Sequence, residues 1–345
     1  MQFRVATFNL ENLDDGRATR PPLSARLPTL RAQLQRLQAD ALCLQEVNAQ
    51  ELGPGKQRRL DALDQLLTNT IYQGFTRVWT KDKHNKGALN VHNLVILSRH
   101  PIGAYSQLWH DLVPPPVYRS LSRTHTDAMT PVRWDRPLLH AEIVIGGGLK
   151  LHIINVHLRA PRASFIPGRK DSASRWNSVG GWAEGLFEAA MKHCGQALEV
   201  RLLVDRLFDA DSDAMITVCG DFNADTVETP IRMIRGDPED IGNRDLSART
   251  LVALESSPDD ATRYSVVHGP RRVMLDHILV SRSLALRCRK ITIDHVGLLD
   301  ETEPAALSRR RPGSYHAPIS RSIEERGRIT AEPMVGGLHH RYARI

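Results

Sequence analysis

The chain is poor in aromatic residues, in paired cysteines and in long apolar runs. Phe, Trp and Tyr together make up only 5% of the 345 residues. The four cysteines are scattered and form no Cys-x-x-Cys pair, so a reducing cytoplasm is their simplest compartment. No apolar run approaches the ~20 residues that cross a bilayer, and no basic and apolar leader precedes the first predicted strand. These absences predict a cytoplasmic protein without a membrane span.

The composition that remains is that of an ordinary globular protein with a basic surface. Apolar residues make up 41% and charged residues 25% of the sequence, which is enough for a sizeable core. The formal net charge of +7 favours phosphate-bearing partners through electrostatic steering, but leaves nucleic acid, lipid headgroup and nucleotide open. No repeat and no sharp change of composition divides the chain. We therefore expect a single layered α+β domain rather than a Rossmann-type sheet.

The stretch at residues 215–224, Met-Ile-Thr-Val-Cys-Gly-Asp-Phe-Asn-Ala, joins a buried strand to polar residues at its end. Its apolar and β-branched first half predicts a strand that stops at Gly220. Asp221 and Asn223 lie two residues apart in extended chain, so they point to the same side. Taken alone, the pair is equally consistent with an Asx turn that caps the loop.

Polar residues also close the first two predicted strands. The strand at residues 3–8 stops before Asn9 and Glu11, which share one side of an extended chain. Glu46 lies near the end of the apolar strand Ala41–Val47. A carboxylate is costly to bury there without a partner, so Glu46 is either a salt-bridge partner or a metal ligand.

Three more polar residues lie in or beside later strands. His157 ends the second arm, 149–157, of a predicted hairpin with a glycine turn. A single histidine at a strand end is usually a hydrogen-bonded surface residue. Asp276 is predicted in the middle of an apolar strand at 273–280, an unusual place for an acid, and His316 precedes a final short strand.

A basic loop and a long helix separate these strands. Residues 160–181 are polar, glycine-rich and basic, and the apolar spacing that begins at Trp182 predicts a helix with a break or kink at Gly195. Trp134, Trp176 and Trp182 are candidates for stacking on bases. Because Trp182 opens an apolar helix face, we expect it in the core.

The strand ends are informative jointly. If the strands lie side by side, their ends form one patch of carboxylates, amides and two imidazoles. Such a set of groups suits metal-assisted attack on a phosphoester, which needs positive charge near the phosphate oxygens, a positioned water and matched donors.

Seven segments, in the same order along the chain, resemble those of the endonuclease/exonuclease/phosphatase superfamily of metal-dependent, deoxyribonuclease-like phosphoesterases. The segments are residues 7–12, 44–47, 97–101, 155–158, 220–224, 275–277 and 314–318. The resemblance implies an α+β fold, a four-layer α/β/β/α sandwich of two mixed β-sheets packed face to face. It implies one domain at 1–320, with the basic loop and helical segment at about 160–208, and a C-terminal tail at 321–345.

The resemblance also implies a metal site. Glu46 matches the family's ligand for a divalent metal, Asn9 the asparagine beside it and Glu11 the neighbouring acidic position. All three are oxygen donors, which suits Mg²⁺ or Mn²⁺ better than zinc. Tyr315 stands where the family usually has an aspartate before the last histidine, which leaves the choice between one and two metals open.

The catalytic roles follow from the same resemblance. Asp221 matches the carboxylate that activates or orients the water, and Asn223 the amide that contacts the phosphate. His316 matches the catalytic imidazole and Asp276 its orienting carboxylate. His157 matches a second imidazole that binds phosphate or protonates the leaving group.

The substrate is less determined than the chemistry. Arg159, Arg136 and Arg311 are predicted phosphate contacts because arginine suits polyanions. A phosphodiesterase or nuclease that acts on DNA or RNA is the first expectation. A phosphatase or phosphodiesterase acting on a small molecule or phospholipid is the first alternative, and a binding protein with a decayed site the second. No obligate protein partner is predicted.

Overall fold

The computed structural model describes residues 2–16, 21–51, 53, 57–82, 87–122, 129–255, 261–302 and 313–324. Within these ranges the helices are α1 (Leu23–Leu37), α2 (Asp61–Leu67), α3 (Val179–Ala210), α4 (Thr229–Arg235), α5 (Pro238–Ile241) and α6 (Arg282–Ala285). The strands are β1 (Gln2–Leu13), β2 (Ala41–Val47), β3 (Thr76–Trp79), β4 (Asn93–Ser98), β5 (Ile102–Leu108), β6 (Val117–Tyr118), β7 (Thr130–Pro131), β8 (Leu138–Ile145), β9 (Leu149–His157), β10 (Met215–Asp221), β11 (Leu251–Ala253), β12 (Val266–His268), β13 (Arg271–Val273), β14 (Asp276–Ser281), β15 (Cys288–Ile293) and β16 (Ile319–Glu324).

Twelve of these strands form two six-stranded sheets. The first sheet has the order β15-β16-β1-β2-β4-β3 and the second the order β11-β14-β10-β9-β8-β5. β1 runs parallel to β2, and β10 runs parallel to β9, whereas the other neighbours are antiparallel. Both sheets are therefore mixed, and each has a parallel pair at its centre.

The two sheets pack face to face through the apolar side chains of alternating strand positions. Phe3, Val5 and Cys43 of the first sheet belong to one buried cluster with Ile153 and Ile278 of the second. Successive side chains of a strand point to opposite faces, so the residues between these positions are left to contact the helices.

Helices cover the outer face of each sheet. Leu30 and Leu34 of α1, together with Leu63 of α2, pack on the first sheet, and Val200 and Val204 of α3 pack on the second. The layers are therefore helix, sheet, sheet and helix, which confirms the predicted four-layer sandwich. Among the described residues, no helix has both the length and the apolar character needed to cross a membrane.

A buried amide pair joins the two sheets close to the ends of β2 and β9. Gln45 Nε2 donates to Asn155 Oδ1 at 2.7 Å, and Asn155 Nδ2 donates to the carbonyls of Leu44 and Val95 at 3.0 Å each. Buried amides are costly unless they are fully paired, so these bonds hold the two sheets in one relative position. These bonds therefore also fix the relative position of the neighbouring strand ends.

Three details of the predicted elements are wrong. Asp276 is the first residue of β14 rather than the middle of a longer strand. The residues before it form β13, which pairs with β12 in a separate two-stranded sheet. The boundary predicted between domain and tail, at residue 320, falls inside β16, which pairs with β1 as far as Glu324. α3 is continuous through Gly195, where a Cβ would lie 2.6 Å from the Trp134 ring, so this glycine permits close packing.

The tryptophans also differ from expectation. Trp134 is 1% exposed and belongs to the interior, so it is not available to stack on a base. Trp182, which was expected in the core, is 44% exposed.

Candidate active site

The central strands of both sheets end at one edge of the sandwich, and the polar residues at their ends meet there. Asp221 lies beside His157 in the pairing of β10 with β9, and beside Asp276 in the pairing of β10 with β14. Asn9 of β1 reaches across from the other sheet, with its Nδ2 2.9 Å from Asp221 Oδ2 and 3.1 Å from Glu46 Oε1. This edge is the candidate active site.

Irregular backbone places two of the carboxylates. Gly220 has φ 142°, and a Cβ there would lie 2.0 Å from the carbonyl oxygen of Val156, so only glycine allows β10 to approach β9 just before Asp221. Glu46 has φ 58°, and the register of β2 shifts on both sides at this point. Such an irregularity redirects a side chain that a regular strand would point elsewhere.

Asn9 uses both ends of its buried amide. Its nitrogen donates to Glu46 and Asp221, and its oxygen accepts the backbone N–H of Glu11 at 2.8 Å. In this arrangement Asn9 presents a donor, and no oxygen, to the space between the carboxylates. Asn9 was predicted as an oxygen ligand, but here it turns its nitrogen, and not its oxygen, toward the two carboxylates.

His316 and Asp276 form a hydrogen-bonded pair. His316 Nδ1 lies 2.7 Å from Asp276 Oδ2, and His316 Nε2 lies 4.0 Å from Asp221 Oδ2. Burial alone would lower the pKa of His316, but the negative charges of Asp276, Asp221 and Glu46 raise it to about 10. At neutral pH the ring is therefore a cation that holds a proton on each nitrogen.

Asp221 is almost fully buried between these groups. Its Oδ1 accepts the backbone N–H of Asn223 at 2.9 Å and its Oδ2 faces His157 Nε2 at 3.4 Å. Burial raises the pKa of Asp221 to about 7, with His316 opposing the shift and Asp276 adding to it. A carboxylate with a pKa near neutrality is suited to take a proton from water at physiological pH.

Asn223 itself has φ 50°, and its Nδ2 donates to the carbonyl of Leu158 at 3.1 Å. The bond ties the loop after β10 to the residue that follows His157. Asn223 therefore lies at the candidate site, with its amide nitrogen engaged by the protein.

Two histidines flank Glu46 on its other side. His157 Nε2 lies 3.6 Å from Glu46 Oε1, and His92 Nδ1 lies 3.8 Å from Glu46 Oε2. Burial, together with the positive charge of Arg136, lowers the pKa of both imidazoles, that of His157 most strongly. Both rings are therefore neutral at physiological pH and can accept a proton or bind a cation.

Of the three predicted arginines, two lie at this edge. Arg136 Nη2 lies 3.5 Å from His92 Nδ1, and burial lowers its pKa although Glu46 and Asp221 raise it. The backbone N–H of Arg159 is held by Gln196 of α3, which also donates to the Arg136 carbonyl. Arg311 lies outside the described residues.

Glu11 lies at the side of the site that is formed by the segment before β16. Its Oε2 accepts the backbone N–H of Tyr315 at 2.8 Å, and burial raises its pKa, which the charges of His316 and Arg26 oppose. The buried Arg26 donates to the carbonyls of Leu10 and Gly313, and so fastens the end of β1 to the loop that carries His316.

Two groups of three side chains have ligand atoms close enough to share a metal ion. They are Glu46, His92 and His157, and Asp221, Asp276 and His316. The His316–Asp276 pair already uses its facing atoms, whereas Glu46 faces neutral imidazoles and the nearby acidic Glu11. The first group offers one carboxylate and two imidazoles, with the carboxylate of Glu11 nearby, and could therefore bind a divalent cation.

A second buried ion pair supports the loop after β10. His277 Nδ1 lies 2.6 Å from Glu255 Oε1, and its Nε2 donates to the Ala224 carbonyl at 2.9 Å. Burial alone would lower the pKa of His277, but Glu255 and the carbonyl raise it above its usual value.

The raised pKa of His277 predicts a pH dependence of stability. The stabilising contribution is complete below the unfolded value near ~6.5 and is lost as pH rises through the folded value. The wild type should therefore lose free energy of unfolding with rising pH relative to His277→Gln, as urea unfolding at several pH values would measure. Parallel pH dependence in both proteins would contradict this assignment.

The sequence profile of the endonuclease/exonuclease/phosphatase family matches residues 6–316. The chain belongs to this family. Membership confirms the resemblance, and with it the prediction of an enzyme that hydrolyses phosphoester bonds. A search of the curated proteins found no match.

Solved structures of family members share the fold at low sequence identity. Truncated Caenorhabditis elegans TDP2 is 15% identical, with a TM-score of 0.54 over 93% of this chain and 97% of that chain. The 3′ phosphatase NExo from Neisseria, bound to a product DNA hairpin, is 18% identical, with a TM-score of 0.51 over 93% and 99%. A mannosyl-6-phosphatase from Bacteroides thetaiotaomicron is 15% identical, with a TM-score of 0.52 over 92% and 98%.

Sequence reasoning missed two residues of this family site. His92 precedes β4 with φ 56°, and its backbone N–H is held by Asn48 Oδ1 at 3.0 Å. Arg26 lies on a face of α1 that reads as an ordinary helical pattern. A histidine directly before an apolar strand was the one local signal for His92, and nothing local marks Arg26.

Proposed function

We propose that the chain is a divalent-metal-dependent phosphodiesterase that cuts nucleic acid by attack of an activated water. The observation that carries the proposal is the single edge at which Asn9 joins Glu46 to Asp221, with the His316–Asp276 pair beside them. Phosphoryl transfer needs mainly positioning and charge stabilisation, and these groups supply both.

In this proposal Asp221 accepts a proton from the water, and His316 donates a hydrogen bond to the phosphate. Asp221 takes a proton from the water, because its carboxylate is buried, ionisable near neutrality and held by Asn9 and Asn223. The protonated His316 donates from Nε2 to the phosphate oxygens as negative charge develops on them, while Asp276 orients the ring. The water oxygen bonds to phosphorus as the bond between phosphorus and the leaving oxygen breaks; the leaving oxygen takes a proton from solvent, to which Asp221 later returns the one it received. His157, which is neutral, is placed to contact the phosphate or the leaving group.

Glu46 and Glu11 would hold the metal, with His92 as the nearby nitrogen donor that has no other role in this proposal. A bound Mg²⁺ or Mn²⁺ would supply positive charge for the phosphate oxygens. Asn9 keeps Glu46 and Asp221 apart and oriented, which two like charges at this distance require.

Nucleic acid is the substrate class that the surroundings favour. Arg136 and Arg159 lie at the rim, and the chain carries a net charge of +7. NExo, a relative of similar fold, is bound to a product DNA hairpin. Binding of a polyanion to such a rim should weaken steeply with salt.

Glu46→Gln tests the metal site. We expect the variant to lose the rise in melting temperature that Mg²⁺ or Mn²⁺ produces, to bind Mn²⁺ at least about 10-fold more weakly by calorimetry, and to lose hydrolysis of plasmid DNA. Glu324→Gln, at the opposite end of the first sheet, is the matched control and should behave as wild type. An unchanged metal response in Glu46→Gln would contradict the assignment.

A small-molecule phosphatase is the second candidate, since the mannosyl-6-phosphatase has a similar fold. A panel of plasmid DNA, oligonucleotides, sugar phosphates and lipid phosphoesters, each with Mg²⁺ and Mn²⁺, separates the two. Turnover of a small ester that is insensitive to salt, without DNA cleavage, would favour the second candidate.

A further inference from the structure

Helix α3 is longer than the sheet on which it packs. It has 32 residues and is about 48 Å long, whereas the seven residues of its neighbour β10 span about 23 Å. His193 Nε2 contacts the carbonyl of Phe222 at 2.9 Å, next to Asp221. The half of α3 before His193 therefore projects beyond the edge that carries the candidate active site.

The projecting half presents an apolar face to solvent. Val179, Trp182, Ala183, Leu186 and Ala190 occupy helix positions i, i+3, i+4, i+7 and i+11, so they form a single stripe along the helix. We call these five residues the α3 stripe. Val179 is 79% and Trp182 44% exposed.

The α3 stripe is the continuation of the face that packs on the second sheet. Ala190 is followed at intervals of seven residues by Ala197 and Val204, which are fully buried against that sheet. The stripe therefore faces the same way as the buried half and overlooks the ends of β9 and β10. The half of α3 that carries the stripe extends past the strand ends at which His157 and Asp221 lie.

The polar side chains of this half of α3 face the protein instead of solvent. Glu184 is buried, and its carboxylate accepts the backbone N–H groups of Leu121 and Ser122 at 2.8 Å each and the hydroxyl of Tyr118 at 3.2 Å. Glu184 is thus buried while Val179 and Trp182 are exposed, and an apolar face left exposed is typical of a surface that binds a ligand or partner.

The surroundings of the α3 stripe combine rings with positive charge. Phe165, in the loop beside the helix, is 66% exposed, and Lys170 Nζ lies 4.9 Å from the centre of the Trp176 ring. Residues 159–178 contain five arginine or lysine side chains and one aspartate. Exposed rings beside cations are the surface that unpaired bases and their phosphates bind, in a chain where aromatics are otherwise scarce.

We propose that the α3 stripe binds the bases of a single-stranded nucleic-acid segment adjoining the phosphate that is cleaved. The proposal rests on the proposed function and specifies the form of the substrate. The stripe is about 17 Å long from Val179 to Ala190, which matches about five nucleotides at the ~3.4 Å spacing of stacked bases. The five arginine and lysine side chains of residues 159–178 favour a polyanion, and the exposed rings of Phe165 and Trp182 beside them favour one that carries unpaired bases.

Binding without cleavage tests the proposal. Fluorescence anisotropy of a fluorescein-labelled oligothymidylate, measured in excess EDTA, separates affinity from hydrolysis. We expect Trp182→Ala to weaken binding about 10-fold or more, the loss of one stacked base, and Trp182→Phe to retain most of the affinity because it keeps a ring. Leu286→Ala, at an 87% exposed position at the opposite end of the second sheet, should bind as wild type.

The outcomes separate this inference from the proposed function. Equal affinity of Trp182→Ala and wild type would overturn it, with circular dichroism confirming that the variant is folded. Binding of anionic phospholipid vesicles through Trp182, without binding of the oligonucleotide, would also overturn it and assign the surface to a bilayer. If the wild type hydrolyses neither DNA nor bis(p-nitrophenyl) phosphate yet binds the oligonucleotide through Trp182, the proposed function fails and this surface stands.

Discussion

His316→Ala should lower kcat for phosphodiester hydrolysis by about 10²–10⁴-fold, the usual contribution of a positioned acid or base. The ring is mostly buried beside two carboxylates, and its bond to Asp276 orients it so that the protonated Nε2 faces Asp221. A donor of this kind acts mainly on charge that develops in the transition state, so kcat should fall far more than KM rises.

The loss should be specific to the imidazole of His316. Added imidazole should restore part of the activity of His316→Ala, because the variant leaves a space of that shape beside Asp276. His100→Ala, at the far end of the first sheet, is the matched control and should retain wild-type kcat. If His316→Ala hydrolyses DNA as fast as wild type, His316 is not the donor.

The regular strands were predictable from the sequence because their patterns are local. β2 and β9 have the bounds that were expected, since an apolar run closed by a polar residue or a glycine turn marks both ends of a strand. The order of the motifs then indicated which strand ends would carry chemistry. The local patterns did not show that these strand ends meet. They meet because the parallel pairs of the two sheets end at one edge, and only the family resemblance implied that arrangement.

What the sequence did not reveal depends on contacts between distant residues. Glu46 and His92 owe their orientation to left-handed backbone, at a register shift and at a bond to Asn48, and no local pattern encodes either. Asn9 was predicted as an oxygen ligand, but the positions of Glu46 and Asp221 turn its nitrogen toward them. The residue types predicted which side chains lie at the site, whereas the role of each depends on its geometry in the folded chain.

Trp182 illustrates the same limit in a helix. Apolar spacing shows that α3 has an apolar face, but not whether a sheet lies beneath every part of it. The spacing is the same on both sides of His193, yet Ala197 is buried and Trp182 is 44% exposed. A core prediction that fails in this way locates a surface available for binding.

Asp221→Asn should abolish most of the turnover, with kcat lower by about 10²–10⁴-fold. The amide has the shape of the carboxylate but cannot take a proton from water. It also turns an N–H toward one of the two donors that the carboxylate accepts, Asn9 Nδ2 or the Asn223 N–H, and so disturbs the water position as well. Steady-state kinetics on DNA and on bis(p-nitrophenyl) phosphate, with saturating Mn²⁺, would measure the loss.

The stability of Asp221→Asn distinguishes lost chemistry from lost structure. Burial raises the pKa of Asp221 to about 7, so the cost in folding free energy of ionising it grows as pH rises from the unfolded value of ~4 and is complete above about 7, and the neutral amide does not carry this cost. Without metal at pH 8, the inactive variant should therefore melt no lower than wild type. Asp213→Asn, exposed just before β10, should match wild type in both activity and melting temperature. A fully active Asp221→Asn would remove the proposed base, because the other carboxylate between Asn9 and His157, that of Glu46, is assigned to the metal.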